Sequence, residues 1–215
     1  REFWQLDFDT VGTSDVSADA ESCMILSDAL EAIGLDRNSY LVKVNNRKIL
    51  SGFLETIGIS GAENEGNVLR IIDKIDKIGV EGISYELGRG RKDSSGALIP
   101  GLGIDPSIVK KIGDYFEQFT EEKSRSEIIE NLSSLNSGNE KFTEGLDELI
   151  KIDNILQASG YDEKRVLFSP AIVRGLGYYT GPVYEVESLL TFTDSKGNLR
   201  KVGSICGGGR YDGLV

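Results

Sequence analysis

The chain has 215 residues, of which 39% are hydrophobic and 27% charged, a composition typical of a globular protein with one large domain or two modest ones. Its formal net charge of −11 argues against broad docking on a phosphate backbone, because such docking normally needs a basic surface. It contains no histidine, which excludes Ser-His-Asp catalysis, Cys-His catalysis and HExxH zinc sites within the chain.

The two cysteines and the apolar runs predict where the protein resides. Cys23 and Cys206 lie far apart and outside any metal-ligand spacing, so we expect reduced thiols and a cytoplasmic location. No apolar run approaches the ~20 residues needed to span a bilayer, and the start lacks a signal-peptide pattern. We therefore expect no membrane partner.

The opening segment, residues 3–9, alternates apolar and polar side chains. As a strand, it would place three apolar and three polar residues on opposite faces: Trp4, Leu6 and Phe8, and Gln5, Asp7 and Asp9. The apolar face would pack on the core. The polar face would either be in water or line a cleft for a cationic or hydrogen-bond-donating ligand. This stretch alone favours the solvent-facing interpretation.

The next segments are predicted to alternate between helix and strand. Residues 20–33 have apolar positions at near-helical spacing, and Gly34 stops that helix. Residues 40–45 predict a strand that leads into a turn, and residues 49–57 predict a second helix.

A long helical region follows, from Glu63 to Tyr161. Its predicted helices are residues 68–78, 107–119, 121–132 and 142–156. The glycine-rich connector at residues 88–96 lies among them, but it lacks the GxxxxGK[ST] pattern and joins no strand directly to a helix. It is predicted to be a mobile surface loop, and the whole region to be an insert between two β-rich pieces.

The tail returns to strand. Residues 182–193 and 199–206 predict a hairpin around the turn at residues 194–198. Three consecutive glycines then follow at 207–209. Glycines weaken a strand unless something must approach its backbone closely.

Three motifs resemble the class II histidyl-tRNA synthetases. VRGLGYYTG at residues 173–181 and GGGRYDGL at 207–214 resemble the family's signatures RGLxYYTG and GGGRYDGL. REFWQLDFD at residues 1–9 resembles the second part of class II motif 2, REFxQxDxD. The resemblance covers essentially the whole chain. The three motifs in the right order make it specific, whereas GGGRYDG alone would be weak.

The resemblance implies an α+β fold, with a mainly antiparallel sheet and flanking helices interrupted by a helical insertion domain. Residues 1–62 and 162–215 would be the two parts of the catalytic core, and residues 63–161 the insertion domain. The activity would be the formation of histidyl-adenylate from L-histidine and ATP, followed by transfer to tRNA(His). Mg²⁺ would sit on the ATP phosphates with no protein metal site, and the full-length protein would be a homodimer.

The same resemblance assigns the site residues. Asp9 would accept a hydrogen bond from one imidazole N–H, and Tyr179 would bond the other ring nitrogen. Gln5 would hold the α-ammonium group, and Tyr178 would belong to the same pocket. The opening strand would then form the floor of a histidine pocket.

On the ATP side, Arg174 would face the histidine carboxylate and the α-phosphate, where a guanidinium can donate to two oxygens at once. The glycines Gly207, Gly208 and Gly209 would let the ligand lie against bare backbone. Gly177 stands where many family members carry aspartate.

Other polar and aromatic residues near these motifs are given structural roles. Arg210 and Asp212 are expected to pair with each other or to cap the turn at Gly213. Asp7 is expected to face solvent. Cys206 is predicted to be a small buried strand residue, and Tyr184 and Tyr211 to be core aromatics with tethered hydroxyls.

Three further interpretations stay open. The resemblance places the start inside motif 2 and the end before the motif 3 arginine, so the chain would be an inactive part of a catalytic domain. The rival function is a synthetase-like regulatory subunit of ATP phosphoribosyltransferase, which would sense histidine and catalyse nothing. Gln5, Asp9 and Arg174 together, with the long insert, favour the enzyme. A helical interaction module ranks last, because it leaves the polar pocket unexplained.

Overall fold

The computed structural model describes residues 2, 4–93, 95–120, 123–173 and 178–213. Within them, seven helices and six strands follow in the order α1 (Ser17–Ala32), β1 (Tyr40–Asn46), α2 (Arg47–Thr56), α3 (Ala62–Ile72), α4 (Ile75–Leu87), β2 (Gly90–Lys92), β3 (Leu98–Pro100), α5 (Pro106–Glu117), α6 (Arg125–Leu135), α7 (Glu140–Ala158), β4 (Val166–Phe168), β5 (Pro182–Thr193) and β6 (Leu199–Gly209). None of the described helices is both long and apolar enough to cross a membrane.

The main sheet has four strands in the order β4-β1-β5-β6. β1 runs parallel to β4, whereas the β1–β5 and β5–β6 pairs are antiparallel. A separate antiparallel pair joins β2 and β3. The predicted α+β class with a mainly antiparallel sheet is therefore confirmed, and so is the predicted hairpin of β5 and β6.

Helices pack on one face of the sheet. Tyr40 and Val44 on β1 are fully buried, and the Tyr40 hydroxyl donates to the Ser27 carbonyl in α1 at 3.2 Å. The alternate side chains point to the opposite face. There Lys43 of β1 forms an ion pair with Glu187 of β5. The sheet thus has a helix-packed face and a more polar face, and this division determines where the candidate site lies.

Helix α7 is central to the core. Its buried residues recur at helical spacing: Phe142, Leu146, Leu149, Ile152 and Leu156. It crosses α2 closely at two glycines, because a Cβ on Gly52 would lie 2.5 Å from the Phe142 backbone nitrogen and one on Gly145 would lie 2.9 Å from Ile49 Cγ1. One core therefore includes residues from 1–62, 63–161 and 162–215. The predicted division of the chain into these three segments stays a prediction.

The opening segment differs from the prediction. Residues 4–15 form no strand, and Trp4 is 100% exposed and Leu6 84% exposed. The predicted strand with its apolar face on the core is therefore wrong. Alternation alone cannot form a strand, because a strand also needs a hydrogen-bonding neighbour, and the part of the chain that the structure describes pairs none with this segment.

Two details of the helical region also differ. The predicted helix at residues 68–78 is divided into α3 and α4 by a break at Asp73 and Lys74. The connector at residues 88–96, predicted to be a loop, contributes strand β2 to a hairpin. Glycine is required at the open end of this hairpin, because a Cβ on Gly101 would lie 2.1 Å from the Gly88 carbonyl oxygen.

Replacing Tyr115 with phenylalanine is expected to stabilise the protein by about 1 kcal/mol. The Tyr115 hydroxyl is buried and finds no hydrogen-bond partner among the described residues, and burial raises its pKa. The ring itself stacks on Phe53 at a centroid distance of 4.5 Å, which phenylalanine preserves. Urea unfolding of the full-length protein measures the change. Tyr85→Phe, whose hydroxyl bonds Glu81 at the surface, is the control, and a loss of stability in Tyr115→Phe would show that its hydroxyl has a partner.

Candidate functional site

The described parts of the two signature segments, residues 178–181 and 207–213, lie side by side at the start of β5 and the end of β6. The Thr180 N–H donates to the Arg210 carbonyl, and the Arg210 N–H donates to the Pro182 carbonyl, both at 2.9 Å. The Thr180 hydroxyl also bonds the Asp212 carboxylate at 2.5 Å. Residues 180–182 and 210–212 therefore form one hydrogen-bonded unit.

An aromatic pair lies over the glycine-rich end of β6. A Cβ on Gly209 would lie 2.8 Å from the Tyr179 ring, so glycine lets that ring rest directly on the strand. Tyr178 meets Tyr179 edge to face, with centroids 4.6 Å apart, and is 40% exposed. A Cβ on Gly208 would meet nothing within 4 Å. The structure thus brings together three of the predicted site residues: Tyr178, Tyr179 and Gly209.

Asp9 joins this group from the other end of the chain. The Tyr211 hydroxyl donates to Asp9 Oδ1 at 2.6 Å, across 202 residues of sequence. This hydrogen bond raises the pKa of Tyr211. Tyr211 therefore holds the Asp9 carboxylate beside the signature segments. Its hydroxyl is tethered as predicted, but the prediction that it is a core aromatic is wrong, because it is only partly buried.

Gln5 has a different neighbour. Its side-chain amide donates to the Asp7 carboxylate at 2.9 Å, and both residues are exposed. Asp7 is solvent-facing, as the sequence predicts. The structure as described does not join Gln5 to the Asp9 cluster, so its role in the site stays a prediction.

Arg174 and Gly177 lie outside the described residues, so their predicted roles also stay predictions. The chain just before them is fixed by Asn45 of β1. The Asn45 side-chain amide donates to the Ile172 carbonyl at 2.8 Å and to the Pro170 carbonyl at 3.1 Å. Asn45 is 2% exposed, so this anchor is part of the core. Sequence reasoning missed it, since nothing local to Asn45 indicates a partner more than a hundred residues away.

Arg210 does not pair with Asp212, so the pairing alternative of that prediction is wrong. Its guanidinium bonds Glu148 of α7 through Nη1 at 2.6 Å and Asp19 of α1 through Nη2 and Nε. Asp212 instead bonds Thr180. The cause is strand alternation, which directs Arg210 toward the helix-packed face, where both carboxylates lie.

Both carboxylates are bonded further within the core. Asp19 accepts from the Tyr184 hydroxyl at 3.0 Å. Glu148 accepts from Lys48 Nζ at 2.8 Å and from the Asn46 amide at 2.6 Å. Burial opposes ionisation of Glu148, but the bonds from Lys48, Asn46 and the guanidinium outweigh it and lower its pKa. For Asp19 burial is the larger effect and raises its pKa, although the bonds from Arg210 and Tyr184 oppose the shift. The arginine therefore binds two carboxylates that are also hydrogen-bonded within the core.

The remaining structural predictions have different outcomes. Tyr184 is a core aromatic with a tethered hydroxyl, as predicted. Cys206 lies on strand β6 but is exposed, so the prediction that it is buried is wrong. The helices pack on β1 and β5 rather than over this part of β6.

Comparison with known proteins agrees with the three motifs. A family model described as histidyl-tRNA synthetase matches residues 1–215. A histidine–tRNA ligase of Rhizobium leguminosarum bv. trifolii (strain WSM2304) is 48% identical over 218 residues, covering 100% of this chain and 42% of that relative. The chain thus spans less than half the length of the curated relatives it matches.

Solved structures show the same fold. The crystal structure of histidyl-tRNA synthetase from Nostoc sp. PCC 7120 superposes with a TM-score of 0.73 at 30% identity, over 94% of this chain and 42% of that one. An ATP phosphoribosyltransferase regulatory subunit/histidyl-tRNA synthetase from Bacillus halodurans superposes at 0.68 with 21% identity, over 94% and 44% of the two chains. That second likeness shows the fold alone. With the family model matching along its whole length, the chain belongs to the histidyl-tRNA synthetase family.

Proposed function

We propose that the protein is a histidine–tRNA ligase and that this chain supplies the histidine-recognising part of its catalytic domain. The observation that carries the proposal is the hydrogen bond between Tyr211 and Asp9, which brings motif 2 to the GGGRYDGL signature. The Tyr178–Tyr179 pair lies on the adjoining strand end. Three separate family motifs thus supply one cluster of polar and aromatic side chains.

This cluster suits an imidazole, whose two ring nitrogens need different partners. The Asp9 carboxylate would accept from a ring N–H, and the Tyr179 hydroxyl would bond the other nitrogen. Gln5, which now donates to Asp7 beside it, would turn to hold the substrate's α-amino end. A site built from hydrogen-bonding groups rejects analogues that lack the matching atoms by about 10⁴-fold or more.

The ATP side of the proposal rests on Arg174 and the glycine strand. Arg174 would donate to the histidine carboxylate and the α-phosphate as the adenylate forms. The glycines at 207–209 would let a ligand approach the strand backbone closely, because they carry no side chains. Mg²⁺ would be carried by the ATP phosphates, and no cluster of three acidic or thiol groups suited to a metal occurs among the described residues.

The proposal extends to the whole protein. Residues 1–62 and 162–215 would form two parts of the catalytic core, and residues 63–161 would form an insertion domain that reaches toward tRNA(His). The full-length protein would be a cytoplasmic homodimer. Catalysis would depend on holding the reactants in place and stabilising developing charge.

Charging of tRNA(His) tests the proposal against the regulatory-subunit alternative. The full-length protein would be incubated with ATP, labelled histidine and tRNA, and histidine esterified to tRNA would be counted. Charging that requires all three reactants is the expected result. Histidine binding without any charging would contradict the proposal and favour a histidine sensor.

Replacing Asp9 with alanine is expected to weaken histidine binding by at least about 10-fold, the cost of losing a charged hydrogen-bond acceptor for the imidazole. Isothermal titration of the full-length protein with histidine measures the affinity. Asp7→Ala, which removes a neighbouring exposed carboxylate, is the matched control and should bind histidine normally. Unchanged affinity in Asp9→Ala would make Asp9 an ordinary surface carboxylate.

A further inference from the structure

We propose that Arg210 is a positioning residue of the histidine pocket: anchored to two buried carboxylates on the helix-packed side of the sheet, it fixes Tyr179 and Tyr211 on the other side. The inference rests on the proposed function, because it assigns Arg210 to that pocket. Arg210 itself points away from the pocket and would touch neither histidine nor ATP.

The position of Arg210 in the chain lets it hold both tyrosines. Its two neighbours in the chain, Gly209 and Tyr211, are the residues through which the aromatic groups of the pocket are held. Gly209 supports the Tyr179 ring, and Tyr211 donates to Asp9. Because alternate residues of an extended chain face opposite sides, an anchor at position 210 on one side holds positions 209 and 211 on the other. A displacement of Arg210 would move both tyrosines.

Arg210 also contacts the neighbouring signature segment directly. Its backbone N–H and carbonyl are both bonded there, to Pro182 and Thr180. Its side chain runs beneath Gly181, where a Cβ would lie 3.2 Å from Arg210 Cδ and 3.3 Å from Nη1. Arg210 therefore fixes the segment that carries Tyr178 and Tyr179 as well as its own strand.

The anchor is built into the rigid part of the fold. Asp19 and Glu148 are 6% and 7% exposed, and they come from α1 and α7. Arginine suits this position because its planar fork can bond two separate carboxylates at once, whereas lysine carries a single ammonium group. Arg210→Lys therefore keeps the charge and loosens the position.

The test compares two buried arginines in the full-length protein. ATP–pyrophosphate exchange is measured with histidine and ATP varied separately. Arg210→Lys is expected to raise the KM for histidine by about 10-fold, less than the ~100-fold that a 1 Å misplacement can cost. The KM for ATP is expected to stay close to that of the wild type. Arg125→Lys, which alters a buried arginine bonded to Asp153 elsewhere in the fold, is the control and should leave both constants unchanged.

A second variant covers the case in which Arg210→Lys does not fold. Asp19→Asn preserves shape and weakens only one of the two ionic bonds, and it should raise the KM for histidine in the same direction by a smaller factor. A histidine KM that is unchanged in the folded variants, or raised equally in Arg125→Lys, would overturn the inference while leaving the proposed function intact. A wild-type protein without histidine-dependent exchange would overturn both.

Discussion

Histidyl-adenylate formation by the full-length protein is expected to fall by at least about 100-fold when Arg174 is replaced with alanine. Negative charge builds up on the carboxylate and the α-phosphate as the adenylate forms, and Arg174 would be the permanently charged group that faces both. The loss should appear in the turnover number more than in the KM for histidine, because the interaction strengthens in the transition state.

Single-turnover adenylate formation measures this effect without the later transfer step. Arg200→Ala is the matched control, because it removes an arginine that is 60% exposed and bonds Asp194 near the hairpin turn, away from the site. Arg174→Lys tests whether the guanidinium must donate to two oxygens at once. The single ammonium of lysine should restore only part of the rate. A rate for Arg174→Ala that is close to that of the wild type would refute the assigned role.

Arg125→Ala is expected to lower the free energy of unfolding by about 3–5 kcal/mol. The Arg125 guanidinium is fully buried and bonds Asp153 of α7 at 2.5 Å. It also donates to the carbonyls of Val166 at 2.8 Å and Tyr161 at 3.0 Å. Removing it would leave a buried carboxylate and two buried carbonyls without these donors, and would release α6 from α7 and β4.

Urea unfolding of the full-length protein measures this loss, and the unfolding of Lys110→Ala provides the control. Lys110 pairs with Asp114 one helical turn away, and both side chains are exposed at 73% and 51%. Such a pair contributes about 0.5 kcal/mol or less. A loss below about 1 kcal/mol in Arg125→Ala, within the range of an ordinary surface substitution, would contradict a structural role for the buried pair.

Local sequence signals predicted the elements that local interactions determine. The β5–β6 hairpin was predictable because its turn at residues 194–198 is built from its own side chains, with Asp194 accepting from the Lys196 and Asn198 backbone. The ends of α7 were predictable within two residues, since Asn139 caps its first turn by accepting from the Phe142 N–H at 3.1 Å.

Elements that depend on distant partners could not be predicted in this way. The helical periodicity runs through residues 68–78, yet α3 ends at Ile72 and α4 begins at Ile75. The opening segment alternates like a strand, yet its apolar side chains at Trp4 and Leu6 stay exposed. For the opening segment, no strand among the described residues offers it a hydrogen-bonding edge, and this outweighs the local pattern.

The same distinction applies to the candidate site. The motifs themselves indicated the family and identified Asp9, Tyr178 and Tyr179 as candidate site residues. The residues that support them were not predictable, because the Arg210 side chain bonds partners 191 and 62 residues away. Such partners become visible only when the sheet and the two helices are assembled.

Amino-acid-dependent ATP–pyrophosphate exchange, measured on the full-length protein with each standard amino acid in turn, tests the central claim most directly. The proposed function predicts exchange with histidine alone. No exchange with histidine, in a protein that nevertheless binds histidine, would contradict the claim. It would indicate that the cluster around Asp9 and Tyr179 senses histidine.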